Sequence, residues 1–397
     1  WGDRFKIQKQ EDMKDFSNFG RGQPHLQADE YLDTLTLLPR WPMIEKHIAC
    51  SKVELDDVIH HKKLFLRHCK LEWLLHGNIT RQGALDLISI GNHLFESSAA
   101  LLPSQLLVQR TIRLPERKTV RFERAGLDSE NPNAATFVWY QLGSFYNLEE
   151  STIMKVGSTL LEEKIYDTLR TKEQLGYLVF SGSRSQYASN GYRIAVQSSE
   201  YSASYLLSRI DALVQKTIPE YLDSMSDEVF QGFLDSCVTA SSERPTTLGK
   251  RTRSIWSAVE DGSYEFLRNR KCTEIMKTLT KSKVLDFVRS IFTDHARVAI
   301  LITTPHLKEE PAELTKDDLV VHNITAFRNA MHLLPVPVNG DFHLPEMPIE
   351  IPEDMEGDGD DEEEEEDEED EEDEEDEEGH EEEEEDEDDE DEEAEEE

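Results

Sequence analysis

The sequence offers little support for disulfide chemistry or membrane insertion. Its 397 residues include only four cysteines, which are far apart and form no C-x-x-C pair, so neither a disulfide framework nor a cysteine-zinc site is expected. We expect reduced thiols in a cytoplasmic compartment. No secretory signal, transit peptide or membrane-spanning apolar run is visible, so no membrane partner is predicted. The chain begins at Trp1 rather than at a methionine, and we expect it to be a piece of a longer protein.

Positive charge is missing from the end of the chain. Residues 353–397 hold 39 of the 85 acidic side chains and no lysine or arginine. Residues 1–352 therefore carry 46 acidic and 42 basic side chains, the balance of an ordinary soluble protein. An acidic tract of this kind buries too little apolar surface to fold. We predict a disordered acidic tail over residues 346–397, and no nucleic-acid partner.

Complete catalytic motifs are also lacking. The sequence contains no H-E-x-x-H, H-x-x-E-H, Walker loop or G-x-S-x-G. His93 and Glu96 come nearest, but Ser97 stands where a second histidine would complete the zinc box. One histidine and one glutamate do not make a tight zinc site. We therefore interpret the pair as helix-end surface and predict that this chain binds no metal.

The order of predicted elements indicates an α+β fold. Strand patterns recur from Gln105, an amphipathic helix follows Asn147, two more strands and several helices come next, and Arg297–Thr303 ends the series as a buried strand. This order favours helices packed on one face of a largely antiparallel sheet. The small-residue, proline-containing stretch at 97–104 suggests a boundary. We predict domains over residues 1–104 and 105–345, followed by the tail.

The segment Leu169–Tyr177 carries the most chemistry. Arg170 closes an amphipathic helix, where a cation suits the helix dipole. Gly176 permits close backbone approach at the start of a strand, and the hydroxyl of Tyr177 can donate to a carbonyl or an oxyanion. Together the arginine and the tyrosine could bind and orient a peptide backbone. The plainer interpretation is a capping arginine beside a half-buried tyrosine.

The run L-R-T-K-E-Q-L-G-Y-L-V-F-S-G at 169–182 resembles the insulin-degrading enzyme and nardilysin group of pitrilysin-type zinc peptidases. Three more segments are similar to pieces of that family, in the family's order: the Q-P-H segment Phe16–His25, the L-x-H-G-N segment Leu74–Thr80, and Leu101–Leu106 at a domain junction. Phe327–Pro335 is similar to the family's ending. The resemblance covers roughly residues 1–340.

The resemblance implies that zinc binding and substrate binding are supplied by different halves of the full-length protein. Family members have four homologous α+β domains in two halves that enclose a chamber, and zinc is bound in the N-terminal half. This chain would be the end of domain three and all of domain four, and zinc would be held by its missing N-terminal half. Arg170 would hold the peptide backbone, and Tyr177 would hydrogen-bond the carbonyl oxygen or the oxyanion. Gln174 and Gly176 would complete the substrate-binding segment.

The resemblance thus predicts the substrate-binding half of an insulinase-type zinc metalloendopeptidase that cleaves short peptides and is inactive alone. Relatives also bind polyanions on the chamber wall, and a basic cluster lies in roughly the corresponding region: Arg244, Lys250, Arg251 and Arg253. The alternative for this cluster is a solvated helix face. The alternative for the whole chain is an inactive homologue that serves as an interaction subunit, with the acidic tail binding basic proteins or peptides.

Overall fold

The structure is a computed structural model that describes residues 1–96, 98–102, 105–243, 245–309 and 314–335. The predicted acidic tail lies outside the described residues. The helices are α1 Gly2–Phe19, α2 Pro24–Thr36, α3 Met43–Lys52, α4 Leu55–Phe65, α5 Arg81–His93, α6 Leu148–Tyr166, α7 Ala203–Ala212, α8 Ile218–Asp223, α9 Asp227–Ser242, α10 Leu248–Glu260, α11 Arg268–Met276, α12 Lys281–Thr293 and α13 Ile324–Ala330. Two short π-helical stretches occur at Asp167–Lys172 and Leu213–Thr217.

The strands are β1 Leu37–Leu38, β2 His68–Cys69, β3 Ala99–Ala100, β4 Arg110–Arg113, β5 Thr119–Ala125, β6 Ala134–Ser144, β7 Leu178–Ser183, β8 Ser189–Ser198, β9 Arg297–Thr303, β10 Asp318–Val320 and β11 His332–Leu333. Six of them form the main sheet in the order β10-β5-β9-β6-β8-β7. β10, β5 and β9 are parallel, whereas β9–β6, β6–β8 and β8–β7 are antiparallel. The predicted α+β class with a largely antiparallel sheet is confirmed, and the two parallel pairs of the sheet were not predicted.

Both faces of the main sheet are covered, which explains the unbroken apolar run of β6. Side chains alternate across a strand, so Val138 and Tyr140 enter one core while Phe137 and Trp139 enter the other. The larger core lies beneath α6, α7, α9 and α12. The smaller core lies beneath α2 and α13. Helices therefore pack on both faces of the sheet, so the prediction of helices on one face only is wrong. All four of these β6 side chains are at most 1% exposed.

The long helix α6 forms where its sequence predicts. The side chain of Asn147 accepts hydrogen bonds from the backbone N–H groups of Glu149 and Glu150, which satisfies two free donors at the helix start. The predicted apolar face is buried throughout, with exposures of 4% or less at Ile153, Val156, Leu160, Ile165 and Leu169. This face holds the helix against the sheet and sets where its C-terminal end emerges.

Apart from α2, the helices of the first hundred residues are packed differently. Helices α1, α3 and α4 have no buried residue, and α5 buries Gly91 alone. An apolar stripe runs along α5 to its C-cap, but Leu87, Ile90 and Leu94 are 52%, 64% and 76% exposed. Helical spacing creates an apolar face without specifying what covers it. The described residues up to Pro335 belong to one compact unit, and the domain division at 104/105 stays a prediction.

An ionic cluster attaches α2 to the hairpin between β7 and β8. Arg184 contacts the carboxylates of Asp29 and Asp33, with N···O distances of 2.5 and 2.7 Å. Gln186 donates to the same Asp33 at 3.0 Å. Burial raises the pKa of Asp29, and the Arg184 charge offsets only part of that rise. The cluster fixes the Q-P-H segment, which begins α2, beside the main sheet.

Candidate functional site

The segment Leu169–Tyr177 lies where α6 ends and β7 begins. Helix α6 widens into the π-helical stretch Asp167–Lys172, and the N–H of Glu173 donates to the carbonyl of Thr168, five residues earlier, at 2.9 Å. The N–H of Leu175 then donates to the carbonyl of Leu169 at 3.0 Å. π-Helical turns are rare and are frequent at functional sites. This turn brings the chain back from the helix to the sheet within six residues.

Buried anchors hold both ends of the turn. Leu169 and Leu175 are 0% and 2% exposed, so the apolar core fixes the backbone on either side of the polar residues. Between them, Gln174 adopts a left-handed φ of 52° and its side chain is exposed. Gly176 lies against β8, where an added Cβ would be 2.0 Å from the backbone oxygen of Gln197. The predicted close backbone approach at Gly176 is therefore confirmed.

Arg170 and Tyr177 meet on the outer surface of this turn. The guanidinium carbon of Arg170 lies 5.3 Å from the ring centroid of Tyr177, within range of a cation–π contact. Tyr177 is 89% exposed, so the half-buried tyrosine of the plainer interpretation is wrong. Neither polar end has a hydrogen-bond or ion-pair partner among the described residues. The N–H groups of the arginine and the hydroxyl of the tyrosine are thus free to donate to a ligand's oxygen atoms.

Two ion pairs flank Arg170, and the sequence analysis missed both. Lys172 lies 2.6 Å from the carboxylate of Asp167. Arg209, on α7, binds both carboxylate oxygens of Glu173 at 2.7 and 3.0 Å. The hydrogen bonds that the Arg209 guanidinium donates to Glu173 raise the pKa of Arg209. The spacing of Lys172 and Asp167 offers a local signal, but nothing in the sequence links Arg209 to a carboxylate 36 residues away.

The Q-P-H segment meets the site from the other side. The side-chain oxygen of Gln197 lies 3.1 Å from the backbone nitrogen of His25 and 3.0 Å from its ring Nδ1. The amide nitrogen of Gln197 donates to the side chain of Gln23 at 2.6 Å. Because the backbone of Gln197 touches Gly176, these contacts bring two segments of the family resemblance together. Sequence reasoning did not connect them, because the contacts span 172 and 174 residues.

The predicted basic cluster is only partly described. Lys250, Arg251 and Arg253 have exposed side chains on α10, and Arg244 lies outside the described residues. Helix α10 also contacts the first hundred residues, since the hydroxyl of Thr252 is 2.7 Å from Nδ1 of His76. The polyanion site and its alternative, a solvated helix face, both stay predictions.

The residues weighed as a zinc box lie on the surface. Nδ1 of His93 is 2.9 Å from the carboxylate of Glu96, and both side chains are more than two-thirds exposed. Within the part of the chain that the structure describes, no group of three or more histidine, cysteine, aspartate or glutamate side chains is placed to hold a metal ion. The described residues also include no helix that is both long enough and apolar enough to cross a membrane.

Comparison with known proteins finds relatives of this segment and of the longer chain. Residues 156–256, which include the whole site segment, match the family "PQQ synthase PqqF-like, C-terminal lobe domain 4". Insulin-degrading enzyme of Homo sapiens is 29% identical over 355 residues, covering 84% of this chain and 34% of the relative. The A-factor-processing enzyme of Saccharomyces cerevisiae is 28% identical over 346 residues, covering 84% and 33%.

The fold comparison agrees. The crystal structure of pitrilysin matches with a TM-score of 0.72 at 20% sequence identity, covering 84% of this chain and 35% of that chain. At this identity the likeness concerns the fold alone. The chain spans about a third of the length of the curated relatives that it matches.

Proposed function

We propose that this chain, which is similar to the C-terminal part of insulinase-type (M16) peptidases, is the substrate-binding half of a zinc metalloendopeptidase acting on short peptides. The observation that carries the proposal is the pairing of Arg170 with Tyr177 on the outer face of the π-helical turn. Tyr177 is exposed and Arg170 half-buried, neither has a hydrogen-bond partner for its donors among the described residues, and the buried Leu169 and Leu175 anchor the turn between them. Such an arrangement suits a ligand made of backbone carbonyl oxygens.

Each side chain has a distinct role in this proposal. Arg170 presents several positively charged N–H donors in a planar fork, so it binds and orients the peptide backbone. The hydroxyl of Tyr177 donates to the carbonyl oxygen of the bond to be cleaved, where negative charge develops during hydrolysis. Gln174 and Gly176 shape the backbone between them. Tyr177 is therefore proposed as a catalytic residue.

The described residues do not fit a zinc ion, since they contain no suitable set of ligands. We assign zinc to the N-terminal half of the full-length protein and derive no step from it. This chain would then contribute peptide binding and carbonyl polarisation but no turnover alone. Its partner is the N-terminal half, and its substrates are peptides.

Steady-state peptide hydrolysis by the full-length protein tests the proposal. Tyr177→Phe should lower kcat/KM by about a hundredfold, the lower end of the range for loss of an oxyanion donor. Arg170→Ala should raise KM by roughly tenfold, as expected for loss of a charged hydrogen bond. Tyr187→Phe and Arg81→Ala are matched controls at exposed positions outside the site, and they should leave both constants unchanged.

Unchanged kinetics in both Tyr177→Phe and Arg170→Ala would contradict the assigned roles. A full-length protein that binds peptides through Arg170 but neither holds zinc nor cleaves them would instead support the inactive, interaction-only alternative. Zinc content measured by mass spectrometry on the same preparation separates these two outcomes.

A further inference from the structure

Two carboxylates flank Arg170 in the sequence of this turn. Asp167 precedes it by three residues and Glu173 follows it by three. A carboxylate paired with Arg170 would occupy the N–H groups that a peptide oxygen needs. The availability of Arg170 therefore depends on where these two acidic side chains are directed.

Other cations hold both carboxylates. Lys172 forms an ion pair with Asp167 through one contact of 2.6 Å, and these side chains are 60% and 39% exposed. Arg209 forms an ion pair with Glu173 through two contacts, at 2.7 and 3.0 Å, and these side chains are 36% and 21% exposed. Two-pronged, less exposed arginine–carboxylate pairs are the stronger kind. The Glu173–Arg209 pair is thus the firmer of the two restraints.

We propose that Arg209 is a positioning residue that holds Glu173 away from Arg170 and so keeps the Arg170 guanidinium available to a peptide oxygen. The peptide as ligand rests on the proposed function, whereas the availability of Arg170 does not. Without Arg209, the Glu173 carboxylate loses its partner while an unpaired cation remains three residues away. Glu173 then turns to Arg170 and competes with the ligand for it.

Arginine-specific modification with phenylglyoxal measures this availability without any ligand. The 397-residue chain is treated as wild type, as Arg209→Ala and as Arg209→Ala with Glu173→Gln, and peptide mass mapping follows the rate at Arg170. Arg209→Ala should lower that rate by about threefold, the middle of the range for an exposed ion pair. The added Glu173→Gln should restore it, because a neutral amide does not capture the guanidinium. Arg81, exposed at the start of α5, is the reference within each sample.

Equal rates at Arg170 in wild type and Arg209→Ala would overturn the inference, as would failure of Glu173→Gln to restore the rate. If the pair served only to stabilise the fold, the double variant would be no better than the single one, and circular dichroism and thermal midpoints would report the same loss in both. Restoration is the result that a purely structural role does not give.

Peptide hydrolysis by the full-length protein then links availability to function. Arg209→Ala should raise KM by about threefold with little change in kcat, and Glu173→Gln should bring KM back. If Arg170→Ala leaves KM unchanged while the modification pattern holds, the proposed function fails and the positioning role of Arg209 stands. If KM responds to Arg170→Ala but the modification pattern does not appear, the proposed function stands and the positioning role of Arg209 fails.

Discussion

Gly176 is the residue of the candidate site at which the neighbouring backbone leaves least space for a side chain. An added Cβ would lie 2.0 Å from the Gln197 oxygen and 3.0 Å from its carbon, and neither backbone atom can rotate away. Any side chain here must push β7 away from β8 or shift the turn that carries Tyr177. The glycine thus links the register of the sheet to the position of the tyrosine.

Substitution of Gly176 with alanine should destabilise the chain by about 1–3 kcal/mol, the usual cost of overpacking, and should lower peptide affinity because Tyr177 moves. Urea unfolding measures the first effect. Gly232→Ala is the matched control, since Gly232 lies in α9 with nothing within 4 Å of an added Cβ. Removing a glycine from an exposed helix should stabilise the chain by about 0.5–1 kcal/mol. The same sign of change in both variants would contradict this account.

Single residues of the site differ in how far the sequence could predict them. Arg170, Gly176 and Tyr177 stand in one short run whose chemistry and family resemblance are visible directly. Arg209 and Gln197 are not, because their roles come from α7 and β8 folding back against that run. A polar residue on a helix or strand does not tell which partner tertiary packing will bring to it.

At the scale of elements, α6 was predictable from local sequence signals, whereas the turn that follows it and the start of β7 were not. The N-cap at Asn147 and the apolar period predict α6 to within a turn, since both signals are local. The π-helical stretch was not predicted, because its wider turn depends on how Leu169 and Leu175 pack in the core. Strand β7 begins at Leu178, after the left-handed φ of Gln174 and the turn at Gly176.

The attachment of α2 to the sheet gives a prediction in pH. The pKa of Asp29 is raised above its ordinary value of 3.8, chiefly by burial. A carboxyl with a raised folded-state pKa favours folding most at pH values below its unfolded pKa, and this contribution is lost as the pH rises through the folded pKa. Wild type should therefore lose stability relative to Asp29→Asn as the pH rises above 3.8, the ordinary value for this carboxyl group.

Asp317→Asn is the control, because the stability difference between wild type and this variant should change with pH in the opposite direction. Its hydrogen bond from Lys118, at 2.7 Å, lowers the pKa of Asp317, so its contribution is present above the unfolded pKa and is lost as the pH falls through the folded pKa. Urea unfolding at pH values on both sides of 3.8 measures the two differences, that of Asp317 below this value and that of Asp29 above it. Parallel trends in the two variants would show that the partial burial of Asp29 does not control its titration.

At the scale of the whole molecule, the fold class was predictable and the strand order was not. Alternation, caps and turn residues specify strands and helices locally, and their order indicates an α+β class. The parallel neighbours β10, β5 and β9 come from parts of the chain almost 200 residues apart, and no local pattern specifies such pairing. The cover of α2 over the second sheet face was missed for the same reason.

The charge of the whole chain gives a prediction for residues 353–397, which lie outside the described part. We expect this tract to attract basic peptides through long-range forces that salt screens over about 10 Å at 0.1 M ionic strength. Deleting it, or replacing it with a neutral Gly/Ser segment of equal length, should flatten the dependence of basic-peptide affinity on ionic strength. Fluorescence anisotropy at several salt concentrations measures this slope. An unchanged slope would indicate a solubilising tail without a specific partner.

The contact between Arg170 and Tyr177 also bears on the entropy of binding. Each is a side chain with rotamer freedom, and a ligand that must first immobilise such a group loses about 0.5–1.5 kcal/mol per side chain. Here the tyrosine ring already lies against the guanidinium, on a backbone anchored by Leu169 and Leu175. Part of the ordering that a peptide would otherwise impose has taken place during folding. Under the proposed function, a peptide would therefore meet two side chains that need little rearrangement to bind it.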